Sequence, residues 1–221
     1  MSGDCENEVE PIYSDLTPQG IIVSQSLASF DIKEVLDFLH SLLPDSLLTN
    51  YGLATAQTKN ITHVGEIIPQ LMNFETDNLF SASHYRFNEG FTEGSGHKIF
   101  QYCFDRGSQF NGPLKGVAHH AIDITYMLGN FAPGFPDKVD VELSEKLMQY
   151  WIEFANGTEP WPDYKTGKAL HIKPDGTTEV VPRENISSRR WAAFGEIEKN
   201  WQNTRTVANA LASGNLKISK L

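Results

Sequence analysis

Three short segments of this 221-residue chain have strand character, and four longer ones read as helix. Lys98–Asp105, KIFQYCFD, is short and aromatic and suits a buried strand. Ala169–Ile172 and Glu179–Val181 flank Pro174-Asp175-Gly176, a turn sequence, which predicts a hairpin at a sheet edge. The clearest helix is Val141–Ala155: Leu143, Leu147, Trp151 and Ala155 recur every four residues with Met148 and Ile152 beside them, and Asn156-Gly157 stops the pattern. Asp31–Leu43 turns Val35, Leu36, Leu39, Leu42 and Leu43 inward and ends at Pro44. Asp77 has the character of an N-cap, with Phe80, His84 and Phe87 on one face behind it. Arg190–Gln202 uses Trp191, Phe194, Ile197 and Trp201. Phe87–Gly96 and Gly107–Gly116 read as long loops. This is α/β, helix-heavy, with too few strands: a domain of this length ordinarily closes its core with about five or six. Either further strands are hidden, or the chain contributes part of a larger sheet.

Apolar residues make up 40% and charged residues 21%, which excludes disordered and collagen-like chains. The formal net charge of −10 argues against a nucleic-acid-binding surface, which needs clustered Lys and Arg. No apolar run approaches the ~20 residues of a membrane-spanning helix. MSGDCENEVEP is polar and acidic from its start, unlike a signal peptide. Two cysteines, Cys5 and Cys103, allow one bridge but neither a disulfide framework nor a four-Cys zinc site. Cys103, inside an apolar run, reads as a buried thiol.

No G-x-S-x-G elbow, G-x-G-x-x-G, Walker loop or H-E-x-x-H occurs. Ser95 sits in EGSGH, which is not the elbow and reads as a flexible turn. The informative segment is Gly116–Asn130, GVAHHAIDITYMLGN. Its histidines have three readings: buried core residues, metal ligands or a catalytic base. Adjacent side chains on an ordered backbone point apart, so His119 and His120 are poorly placed to share one ion.

This segment resembles the one carrying the catalytic histidine in type-B carboxylesterases, the cholinesterase-like α/β-hydrolases. Their pattern is Gly-x-x-His, an acidic residue, then an apolar stretch containing phenylalanine and glycine. The resemblance places the histidine at His119. Gly is frequent in the family where this chain has His120, and a second His there is familiar in fungal-type members. GDCENEV resembles the short acidic segment that ends in the triad carboxylate, which implies Glu8 as the acid; Val9 replaces the usual following Gly. LSEKLMQYWIEFANGTEPWPDY resembles the family's terminal helix and tryptophan-proline signature, and Asp77 with Phe80 falls where the family has its helix-starting Asp. The likeness runs from about Gly3 to Trp201, and Glu8 and His119 stand 111 residues apart, similar to the family's spacing.

The resemblance implies the C-terminal half of an α/β-hydrolase fold, with an incomplete central sheet flanked by helices. Residues 1–205 would form the carboxylesterase part and 206–221 a tail. It implies a carboxylic ester hydrolase acting on a small-molecule ester, without cofactor or metal. His119 would take the serine proton, and Glu8 would hold the ring tautomer. Tyr126 and Phe131, with Met127 and Leu128, would line the near side of the substrate pocket or else belong to the plain core. The nucleophile elbow and the glycine-rich oxyanion loop are absent, and only two residues precede GDCENE, which leaves no room for the strand that should carry the acid. Three readings follow: a partial chain, predicted inactive alone; a chain that pairs with a separate N-terminal half; or a non-catalytic binding protein on a degenerate hydrolase scaffold.

Ser219-Lys220-Leu221 is a peroxisomal address if it ends the natural chain. Sequons at Asn60, Asn156 and Asn185 would suit secretion instead, although about two such triplets are expected by chance.

Overall fold

A computed structural model describes residues 1–13, 18–129 and 134–216. Phe131 and Ser219-Lys220-Leu221 lie outside the described residues. In chain order the elements are β1 (Ser2–Cys5), α1 (Glu10–Tyr13), α2 (Pro18–Ala28), α3 (Ile32–Leu42), α4 (Asp45–Thr49), α5 (Ile68–Thr76) and α6 (Ala82–Ser95). There follow β2 (Gln101–Phe104), α7 (Ile122–Met127), α8 (Lys138–Ala155), β3 (Lys168–Ile172), β4 (Thr178–Pro182), α9 (Trp191–Lys199) and α10 (Trp201–Ala212). The chain divides into two compact units, Met1–Glu8 with His84–Arg189, and Val9–Ser83 with Arg190–Leu221.

The first unit holds a four-stranded mixed sheet in the order β1-β2-β3-β4, flanked by helices. β1 and β3 each pair parallel with β2, and the β3–β4 hairpin is antiparallel with β4 at the edge, as its turn sequence predicts. β1 corrects the expectation that no strand fits before the acidic segment. Four residues suffice, with Gly3 opposite Tyr102. A Cβ on Gly3 would lie 2.4 Å from the Tyr102 ring, so glycine is what lets that ring lie over the strand.

The core of this unit is aromatic. Phe104 and Tyr126 pack with ring centroids 5.4 Å apart, and Leu143 and Leu147 of α8 close the cluster. Burial of about 25 cal/mol per Å2 of apolar surface drives this packing. α8 starts at the Asp137 N-cap, whose side chain accepts from Asp140 N, and stops at Asn156-Gly157 as expected. Beneath the sheet ends, Arg189 bonds Asp4 of β1 and Asp105 just past β2, with all three buried. His171 Nε2 and the Ser188 hydroxyl bind the other oxygen of Asp105, at 2.7 and 2.6 Å. Cys5 and Cys103 are free and buried, and burial raises both thiol pKa values.

In the second unit, α3 has a complete capping box: Asp31 accepts from the backbone, and Glu34 reaches back to Asp31 N. Its Val35 and Leu39 are buried, as are Phe74 of α5, Phe194 of α9 and Leu211 of α10.

Three expected elements differ. Asp77 is no N-cap. It lies in a π turn, Asp77–Ser81, that continues α5, and it is buried, accepting from Tyr51 Oη and the Arg190 guanidinium. Phe87–Gly96 is not a loop, because α6 runs to Ser95. Its Gly90 and Gly94 face open space, and Phe87 stacks on Phe91 one turn on. Ser95 ends that helix, its hydroxyl donating to Phe91 O. The last helical pattern breaks at Asn200 into α9 and α10, and α10 runs across position 205 to Ala212, burying Val207 and Leu211.

Candidate active site

The parallel ladder of β1 with β2 sets the path of the chain after Cys5. Glu6 N donates to Phe104 O at 3.0 Å, and Asn7 N donates to Ala118 O at 2.9 Å. An isolated parallel bridge then pairs Asn7 with His119. Glu8 is thereby set beside the histidine segment, although 112 residues separate it from His120.

The histidine segment is itself held from behind. A loop leaves at Gly107 and returns at Gly116, and its neck is closed by Ser108 N to Val117 O (2.9 Å) and Gly116 N to Ser108 O (2.7 Å). A Cβ on Gly107 would stand 2.2 Å from Gly116 O, so the neck requires glycine there. After the neck, Ala118 is buried, and Ile122 N donates to His119 O. Ala121, the N-cap of α7, has φ +63°, the one left-handed non-glycine among the described residues. A left-handed alanine costs about 1–2 kcal/mol, and such strain gathers where geometry serves function.

Glu8 is buried. Its Oε1 accepts from Cys5 N at 2.8 Å, and its Oε2 stands 2.7 Å from His120 Nδ1. Burial raises the Glu8 pKa, while the Cys5 N–H and His120 pull the other way. The His120 side chain is 59% exposed. His119 makes a different bond, Nδ1 to His120 O at 2.9 Å. A carbonyl only accepts, so His119 Nδ1 carries the proton and Nε2 is left basic. The same logic protonates His120 Nδ1 against the Glu8 carboxylate and leaves its Nε2 basic.

The pairing is the reverse of the expected one, in which Glu8 reaches His119 and His120 points elsewhere. The cause is local. His119 sits in an isolated parallel bridge with Asn7, and the chain turns at His120, where Ile122 N donates back to His119 O. With His119 turned to one side, His120 is the histidine that meets Glu8. The sequence motif carries no signal for this one-residue exchange, because both positions hold the same side chain.

Tyr126 does not line a substrate pocket. It is fully buried, donates its hydroxyl to Asp140 at 2.7 Å and stacks on Phe135 at 4.6 Å. Asp140 also binds the Arg106 guanidinium, which makes Tyr126 part of a core polar network. Of the neighbouring residues, Leu128 is exposed, and Met127 borders a separate cleft with Trp151 and Phe154. The space beside the histidines is a different pocket, about 330 Å3, bordered by His119, Ile122 and the 108–115 loop. Ser108 in that lining carries no motif that would have marked it. No cluster of three or more His, Cys, Asp or Glu able to hold a metal occurs among the described residues.

No curated protein matches the sequence. The model of the carboxylesterase family matches residues 1–211, nearly the whole chain. A buried carboxylate bonded to a histidine more than a hundred residues away fits that match, and the chain belongs to the carboxylesterase family.

Proposed function

We propose that this chain supplies the acid and the histidine of a serine-dependent carboxylic ester hydrolase, with Glu8 as the orienting carboxylate and His120 as the base. The observation that carries this reading is the 2.7 Å bond between Glu8 Oε2 and His120 Nδ1. A carboxylate on Nδ1 fixes the tautomer and stabilises the imidazolium formed when Nε2 takes a proton from the attacking hydroxyl. The proton then passes to the leaving alcohol. Such a base accelerates the step by about 10²–10⁴-fold.

The nucleophile and the oxyanion donors come from outside these 221 residues, which hold no G-x-S-x-G elbow. The chain alone is then inactive, since an imidazole without its serine forms no acyl-serine. A second reading keeps His119 as the base. It is supported by His119 Nε2 being free to accept and by the ring bordering the 330 Å3 pocket.

The test joins this chain to a serine-bearing N-terminal segment of another carboxylesterase and follows hydrolysis of a short-chain chromogenic ester. Turnover that falls at least about 100-fold in both Glu8→Gln and His120→Gln, but much less in His119→Gln, is the expected result. Loss confined to His119→Gln moves the base to His119. Stoichiometric labelling of the unjoined chain by a fluorophosphonate would place a nucleophilic serine within it and overturn the division of labour.

A further inference from the structure

We infer that the pocket between His119 and the 108–115 loop binds a carboxylate with an apolar tail. Its walls are apolar, formed by Phe110, Leu114 and Ile122. Two of its polar groups, Lys115 and Ser108, are suited to an anion. Lys115 lines it, with an Nζ contact only to the neutral Asn111 Oδ1 at 3.2 Å, so its charge is not neutralised there. Ser108 lines it too, is 4% exposed, and has a hydroxyl engaged by no described residue. The nearby Thr125 hydroxyl, by contrast, is taken up by Ile122 O at 2.6 Å. The Ser108 hydroxyl is therefore available to donate to a ligand oxygen. Among the described residues no Asp or Glu borders the pocket, although the chain carries 28 of them and a net charge of −10. One cation, one open hydroxyl and no described carboxylate mark a site for a negative group in a chain of net charge −10.

The volume, about 330 Å3, lies at the small end of ligand pockets and suits a short alkyl or single-ring tail. The pocket is preformed, since the loop neck is closed by two backbone bonds and by the Gly107–Gly116 approach. Identifying the ligand as the acid released by ester hydrolysis rests on the hydrolase reading above, whereas the binding itself does not.

The test is carried out on the full, isotope-labelled chain by NMR, with hexanoate, hexanol and acetate as probes. Hexanoate should shift the His119 ring and Ile122 resonances saturably and leave Trp151 in place. Hexanol should bind more weakly, and acetate should cause no saturable shift. Lys115→Ala should weaken hexanoate roughly two- to fivefold, the range for a partly exposed ion pair, and leave hexanol unchanged. Leu114→Trp should abolish both, and Ser108→Ala, which removes only the hydroxyl, should weaken hexanoate alone. Equal binding of hexanoate and hexanol, shifts confined to the Trp151–Phe154 cleft, or no saturable shift would overturn the inference. Failure of the serine-supplied chain to turn over esters, with hexanoate binding intact, would count against the hydrolase reading and leave the anion site standing.

Discussion

Glu8 meets His120, not His119, at 2.7 Å across 112 residues of chain. Every link in that approach is short and local: a four-residue strand, two backbone bonds past its end, and one bridge between Asn7 and His119. A displacement of one residue in that bridge would exchange the two histidines. Which histidine Glu8 meets is therefore specified by backbone register as much as by the presence of histidine.

Arg189 is the hub that fixes β1 against β2. It is buried, with Asp4 and Asp105 as its two carboxylate partners. Arg189→Met would strand two buried acids and should destabilise the fold by about 3–5 kcal/mol, read as a lowered urea midpoint. Burial alone would raise the Asp105 pKa, but His171, Arg189 and Ser188 together hold it below the usual value of 3.8. A depressed carboxylate contributes stability above its unfolded pKa and loses it as pH falls through the folded one. In Arg189→Met that acid-side dependence should shrink.

Glu75 acts in the opposite sense. Burial raises its pKa to about 8, against a hydrogen bond from Tyr13 Oη, and its Oε1 has no partner among the described residues. The folded state then holds a proton that the unfolded state releases between about pH 4.5 and 8. Stability attributable to Glu75 is complete below pH 4.5 and falls as pH rises through that window. Glu75→Gln keeps an acceptor for Tyr13 and should raise the melting temperature at pH 8.5 but not at pH 4. A pH-independent difference between the two proteins would contradict this.

Ala121 pays for its left-handed backbone. Ala121→Gly should raise stability by about 0.5–1 kcal/mol, and Ala121→Val should lower it by more, since a β-branched residue tolerates φ +63° poorly. Thermal melts of the two variants check the sign. The opposite order would show that the turn after His120 is not strained.

Cys5 and Cys103 should resist a thiol reagent in the folded chain. Both are fully buried, and burial raises their pKa values, so little thiolate forms. Labelling should appear only in denaturant, with the cooperative unfolding transition.

Much of the frame was legible before any coordinates. The 3.6-residue stripe of α8, the apolar face of α3 and the Pro174-Asp175-Gly176 hairpin each follow from local chemistry, and local chemistry decides them. β1 was not legible, because SGDC has no β-branched residue and is held only by its long-range ladder with β2. Asp77 looked like a cap because Asp usually is one, whereas here bonds from Arg190 and Tyr51 keep it buried inside a continuous helix. In α6 the glycines suggested a loop, yet exposed helical glycines cost only about 1 kcal/mol each. At the site, the approach of Glu8 to the histidine segment was readable, but which of the two adjacent histidines it meets depends on a single tertiary bridge.

The most direct measurement is the NMR signal of the ring Nδ1 proton shared with a carboxylate. A strongly downfield proton, distinct from that of the His171–Asp105 pair, should be present in the intact chain, assigned to His120 by its loss in His120→Gln, lost equally in Glu8→Gln, and retained in His119→Gln. A downfield proton that survives His120→Gln and disappears in His119→Gln would contradict the pairing, and with it the assignment of His120 as the base.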